Sequence, residues 1–117
     1  MTPPNGYDSS TLGVAHQSIV KVVSGKEKDY EAAENAIGER LASIDGCYWF
    51  RYFHSLGYPN HYSRIIHWRD EDSAKSGIVA LGALETDRIA LIQDENGDLC
   101  RVTLFSDWPD RRARDNM

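Results

Sequence analysis

Apolar positions along the chain change their period part-way, and that change predicts the order of elements. Leu12, Ala15, Ile19, Val22 and Val23 fit one helical stripe, although the β-branched run from Ser18 to Val23 suits a strand equally well; a first helix is expected there. Ser24-Gly25-Lys26-Glu27 matches a capping box, in which serine and glutamate side chains satisfy each other's backbone N–H groups. A helix from Lys26 to about Ile44 is then expected, with Tyr30, Ala33, Ile37, Leu41 and Ile44 on the packed face and Glu27, Glu31, Glu34 and Glu39 in water.

Asp45 is positioned to cap a short third helix that stops at Gly57-Tyr58-Pro59, with Trp49, Phe50, Phe53 and Leu56 as its buried stripe. Alternation of Tyr48, Phe50 and Tyr52 is the competing strand pattern. After Pro59-Asn60 the period becomes two. Tyr62, Arg64, Ile66 and Trp68 face one side of a strand, and Ser63, Ile65 and His67 the other. Gly77 to Leu84, Arg88 to Gln93 and Leu99 to Phe105 read as three further strands, the last two joined by the Asn96-Gly97 turn. The expected fold is therefore α+β: two or three N-terminal helices packed on a C-terminal antiparallel four-stranded meander, with a small SH3-like barrel carrying N-terminal helices as the alternative. Residues 1–10, rich in proline, glycine and serine, are expected to be a mobile arm, 11–109 a single domain and 110–117 a flexible basic tail.

At 117 residues with 41% hydrophobic content, the chain has material for one modest core. A net charge of −5 repels phosphate backbones and anionic membranes, so nucleic acid is disfavoured as a partner. Neither a signal-type N-terminus nor a run of about 18 apolar residues is present, and a cytoplasmic location is expected. The two cysteines, Cys47 and Cys100, follow no framework spacing and are expected to be reduced.

Residues 46–68 concentrate the unusual chemistry: two of the three tryptophans, most of the tyrosines and three of the four histidines. Aromatic side chains bury roughly 150–250 Å² each, so such a cluster is core, binding surface or both. Metal and nucleophile arrangements fail on distance. On a straight strand His61 and His67 stand about 20 Å apart, and on a helix Cys47 and His54 are separated by a rise of about 10 Å. Gly77 to Leu84 lacks the lysine and hydroxyl of a phosphate loop, and Asp94 to Asp98 lacks the closing glutamate of a calcium loop. No catalytic site, metal site or cofactor is therefore expected, and no motif is specific enough to carry a family resemblance.

What remains is a binding protein rather than an enzyme: an inhibitor, adaptor or immunity-type regulator, gripping another protein with a basic surface through Tyr58, Asn60, His61, Tyr62 and Arg64 and the acidic Asp70, Glu71 and Asp72. A homo-oligomer stays open. The alternative is a small-molecule or nucleotide-binding protein whose pocket uses Trp49, Arg51, Tyr52 and His54.

Overall fold

A computed structural model describes residues 13–93 together with the backbone of 101–106. The chain runs β1 (Val14–Lys21), α1 (Glu27–Leu41), β2 (Cys47–His54), β3 (His61–Trp68), α2 (Glu71–Leu81), α3 (Ala83–Ile89) and β4 (Arg101–Ser106). The strands form one sheet in the order β2-β3-β1-β4, every neighbouring pair antiparallel. This is the ferredoxin-like arrangement: α1 carries the chain from β1 to β2, and β3 returns to lie between them. The expected meander is corrected, because the sheet takes strands from both halves of the chain and leads with one. Neither N-terminal helices on a C-terminal sheet nor an SH3-like barrel describes it.

The first segment is strand, not helix. His16, Ser18, Val20 and Val22 alternate into the buried face, and that period-two set outweighs the helical reading of the same residues. β2 likewise replaces the expected third helix. Phe50, Tyr52 and His54 stand opposite Ile66, Arg64 and Tyr62 of β3, with a register shift between Cys47 and Trp49. Gly46 makes the sharp entrance to β2 possible: its φ is +88°, and a Cβ there would lie 2.8 Å from Ser73. The helix expected at 26–44 forms as α1, but without the capping box. Lys26 occupies the cap with no side-chain bond, while Glu27 accepts from the backbone N–H of Gly25 at 3.2 Å.

Gly77 to Leu84, expected as a strand, belongs mainly to α2. Its start is set by Asp70, whose carboxylate accepts from the Ser73 backbone N–H at 2.7 Å, with Glu71 and Asp72 in the first turn complementing the helix dipole. Arg88 to Gln93 is the end of α3 and the turn after it, touching the sheet only through a bridge between Val22 and Ile92. The Asn96-Gly97 hairpin, Cys100, the N-terminal arm and the C-terminal tail lie outside the described residues. No helix among the described residues is long and apolar enough to cross a membrane.

The helices cover one sheet face, and the core beneath them is in two parts. Ile37, Leu41, Cys47, Ile66, Trp68, Ala74 and Leu81 pack at one end; Val20, Val22, Tyr30 and Tyr62 pack at the other. Gly77 lets α2 approach the indole of Trp68, since a Cβ there would meet the ring at 2.2 Å. Between the two apolar clusters lies a layer of buried charge.

Candidate functional site

That layer is assembled from β1, β3, α1 and α3. Arg64 of β3 is fully buried and forks onto Glu85 of α3, with Nη1–Oε1 at 3.1 Å and Nη2–Oε2 at 2.8 Å, while Nη1 also donates to Glu34 of α1 at 3.2 Å. Arg88 of α3 donates from Nε to Glu34 Oε2 at 2.9 Å and from Nη2 to Ser18 Oγ of β1 at 3.1 Å. Tyr30 completes the Glu34 shell, its hydroxyl donating to Oε2 at 2.7 Å. Two arginines balance two carboxylates, so the layer is neutral as a unit. Burial alone would raise the Glu85 carboxyl, but the hydrogen bonds and charge of Arg64, with Arg88 behind them, hold it below its usual range.

Three polar groups in the layer have atoms without a hydrogen-bond partner among the described residues: both ring nitrogens of His16, Nε of Arg64 and the hydroxyl of Tyr52. His16 is 2% exposed, and burial followed by the charge of Arg64 pushes its pKa down to about 4. It is therefore a neutral imidazole at ordinary pH. Burial raises the Tyr52 phenol above its usual range, keeping it a proton donor.

A cavity of about 240 Å³ opens beside this layer, where α1 crosses the β2–β3 end of the sheet, lined by Tyr30, Glu31, Glu34, Asn35, Tyr52, Phe53, His54, Tyr62 and Ser63. Its walls are ordered by ring contacts. His54 stacks on Tyr62 with centroids 4.3 Å apart and planes 2° apart, and Tyr62 packs against Tyr30 at 4.8 Å. Glu31 Oε2 accepts from the Tyr62 hydroxyl at 2.5 Å, tying the strand to α1. With Tyr52 at the cavity and Glu34 bridging to the arginines, an aromatic slot ends on a polar floor.

Residues singled out in the sequence divide by strand alternation. Tyr52 and His54 line the cavity, whereas Trp49 and Arg51 stand opposite His67 and Ile65 on the other face of the sheet, where the Trp49 and His67 rings stack at 5.2 Å. Tyr62 and Arg64, expected on a contact surface, are buried. Asn60 donates from its side chain to the Val22 carbonyl at 3.0 Å, and Tyr58 stacks on His61 at 4.7 Å. Asp70, Glu71 and Asp72 lie beyond the far end of β3, seven strand steps or about 23 Å from His61. The eight residues thus do not gather into one surface.

The sequence reading missed Glu34, Glu85, Arg88 and Tyr30 as site residues. One signal was present: Glu34 falls on the stripe Tyr30, Ile37, Leu41, so a glutamate occupies the packed face of α1. Among the described residues no three histidine, cysteine or acidic side chains gather as metal ligands.

Residues 15–76, more than half of the chain, match the family described as antibiotic biosynthesis monooxygenase. The chain belongs to that family. This membership overturns the expectation of a non-enzymatic inhibitor, adaptor or regulator and directs attention to the cavity. Solved structures agree on the fold. A conserved protein from Methanosarcina mazei Go1 superposes with a TM-score of 0.73 at 15% identity, covering 83% of this chain and 94% of that one. SnoaB, a cofactor-independent oxygenase from Streptomyces nogalater, superposes with a TM-score of 0.66 at 15% identity, covering 83% and 92%. At such identities the likeness is one of fold. No curated protein sequence matches the chain.

Proposed function

We propose that this family member is a small oxygenase that takes a compact, neutral aromatic molecule into the cavity between α1 and the β2–β3 end of the sheet. The observation that carries the reading is the combination at one place of aromatic walls (Tyr30, Tyr62 and the His54 ring stacked on Tyr62) and a buried hydroxyl, Tyr52, with no protein partner among the described residues. Rings accept a flat apolar ligand, and the hydroxyl offers one directional bond to a ligand oxygen. The volume of about 240 Å³ lies below the range of roughly 300–1,000 Å³ usual for drug-sized ligands, which favours one or two rings.

Monooxygenation places one oxygen atom in the product and the other in water. SnoaB is described as cofactor-independent. By analogy, a substrate with an activated methylene supplies all four electrons itself: the methylene becomes a carbonyl, dioxygen is reduced, and one water leaves, so atoms and electrons balance. The protein's part is to orient the ring and to steady negative charge at the substrate oxygen through Tyr52.

The test is oxygen uptake by the purified protein with a panel of one- and two-ring aromatic ketones and phenols, followed by mass spectrometry under isotopically labelled dioxygen. One labelled oxygen in the product, with uptake reduced in Tyr52→Phe, is the expected result. Tight binding without uptake would replace the oxygenase reading by a ligand-holding one. That second reading draws support from Glu34 being fully engaged by Tyr30, Arg64 and Arg88.

A further inference from the structure

We propose that His54 is the general base of this cavity, removing the proton from an activated carbon of the bound aromatic through its Nδ1. The assignment rests on the site reading above and on how the ring is held. His54 Nε2 lies 2.5 Å from the carbonyl oxygen of Pro59. A carbonyl can only accept, so Nε2 carries the proton and, in the neutral ring, Nδ1 carries the lone pair. The tautomer is thereby chosen by the backbone of the β2–β3 turn. That turn is itself held by Ser55, whose hydroxyl accepts from the backbone N–H groups of Gly57 and Tyr58 at 3.2 and 3.1 Å.

The plane of the ring is fixed separately, by the parallel stack on Tyr62. One edge and one face of the imidazole are thus engaged, while the described residues make no hydrogen bond to Nδ1 of this cavity-lining residue. The other imidazoles do not offer the same arrangement. His16 is buried in the charged layer, His61 stacks on Tyr58, and His67 stacks on Trp49 on the opposite sheet face.

In the proposed step the carbon–hydrogen bond of an aryl methylene adjacent to a carbonyl breaks heterolytically. Its proton goes to Nδ1, and its electron pair stays with the substrate as an enolate. The new imidazolium lies over the Tyr62 ring, whose phenol donates to Glu31, so a ring face and a nearby carboxylate both favour the positive charge. Nothing is oxidised in this step, and it needs no dioxygen. It therefore separates from the oxygenation that follows.

That separation supplies the test. β-Tetralone, a two-ring ketone with a methylene between ring and carbonyl, is incubated with the protein in heavy water under argon, and exchange at the methylene is followed by NMR. Wild-type protein is expected to accelerate exchange over buffer, and His54→Gln to lose about a hundredfold or more of that acceleration at saturating ketone. In His54→Ala, added imidazole is expected to restore exchange, which a merely structural role would not allow. Exchange by His54→Gln close to the wild-type rate, a failure of imidazole to rescue, or no wild-type exchange above buffer would each overturn the assignment. Oxygen uptake in air reports the other reading: His54-dependent exchange without uptake would leave the base in place and remove the oxygenase.

Discussion

Replacing Glu34 by glutamine probes the charged layer with the least change in shape. The carboxylate neutralises a share of two buried guanidiniums and accepts the Tyr30 hydroxyl. Glutamine keeps one acceptor oxygen and turns the other into a donor that must face Arg64, Arg88 or Tyr30. Removing one member of a buried ion-pair network costs about 3–5 kcal/mol, because the partner charges stay desolvated. Domains of this kind are stable by only about 5–15 kcal/mol in all, so the loss is a large fraction of the total. With a urea slope of about 2 kcal/mol/M, a loss of about 4 kcal/mol moves the unfolding midpoint down by about 2 M. Glu34→Leu with Arg88→Met should cost less than the sum of the two single changes, since it removes a charge of each sign together. A Glu34→Gln midpoint within about 0.5 M of wild type, equivalent to about 1 kcal/mol, would refute the claim that the layer is held by mutual neutralisation.

Gly77→Ala should destabilise despite alanine's advantage of about 1 kcal/mol inside a helix, because the added methyl overlaps the Trp68 ring and overpacking costs about 1–3 kcal/mol or more; a raised thermal midpoint would contradict this. His16 is depressed from 6.5 to about 4 by burial and then by the charge of Arg64, with Arg88 acting in the same sense and Glu85 against it. The unfolded chain therefore binds the proton first, and stability is full above pH 6.5 and falls by about 3 kcal/mol as pH drops to 4. His16→Leu should remove that part of the pH dependence, as read from urea midpoints between pH 7 and 4. Burial pushes the Cys47 thiol up to about 11, so it should resist iodoacetamide in the native protein and react readily in urea; equal rates would place it at the surface.

How far the fold could be read depended on whether period and propensity agreed. At α1 the stripe Tyr30, Ile37, Leu41 and the flanking helix formers say the same thing, and at β3 Tyr62, Arg64, Ile66 and Trp68 alternate into the buried face. At β2 two readings compete. Trp49 and Phe53, which a helix would bury, are 41% and 46% exposed, and Leu56 is fully exposed. Gly77 to Leu84 failed for the reason short apolar runs usually fail, since period alone does not separate a buried strand from a buried helix. The arbiter is the Asp70–Ser73 cap, which starts a helix at the acidic residues assigned above to a contact surface. Half of the pocket residues proposed from aromatic density reach the cavity, because Tyr52 and His54 share one face of β2 while Trp49 and Arg51 take the other. Arg88 was out of reach altogether, since its partners stand 54 and 70 residues away.

The place where pattern-based reasoning broke down is also where the core breaks its own rule. A sheet face covered by helices is ordinarily apolar throughout, and here it is so at both ends, around Trp68 and around Val20. Between them the fold buries two arginines, one glutamate and a neutral histidine, with the half-buried Glu85 closing the layer. A well-packed apolar layer of similar volume would often be equally or more stable. What the charges provide that leucine would not is found at the cavity: Glu34 belongs to both, and Tyr52, paired with Arg64 across the strands, lines it. Rigid ion pairs hold the cavity floor in one geometry at some expense in stability, as expected where local rules are broken for function. On this argument apolar replacement of Glu34, Arg64, Glu85 and Arg88 together should leave a folded protein that binds aromatics more weakly and turns them over more slowly, with the loss in turnover exceeding the loss in stability.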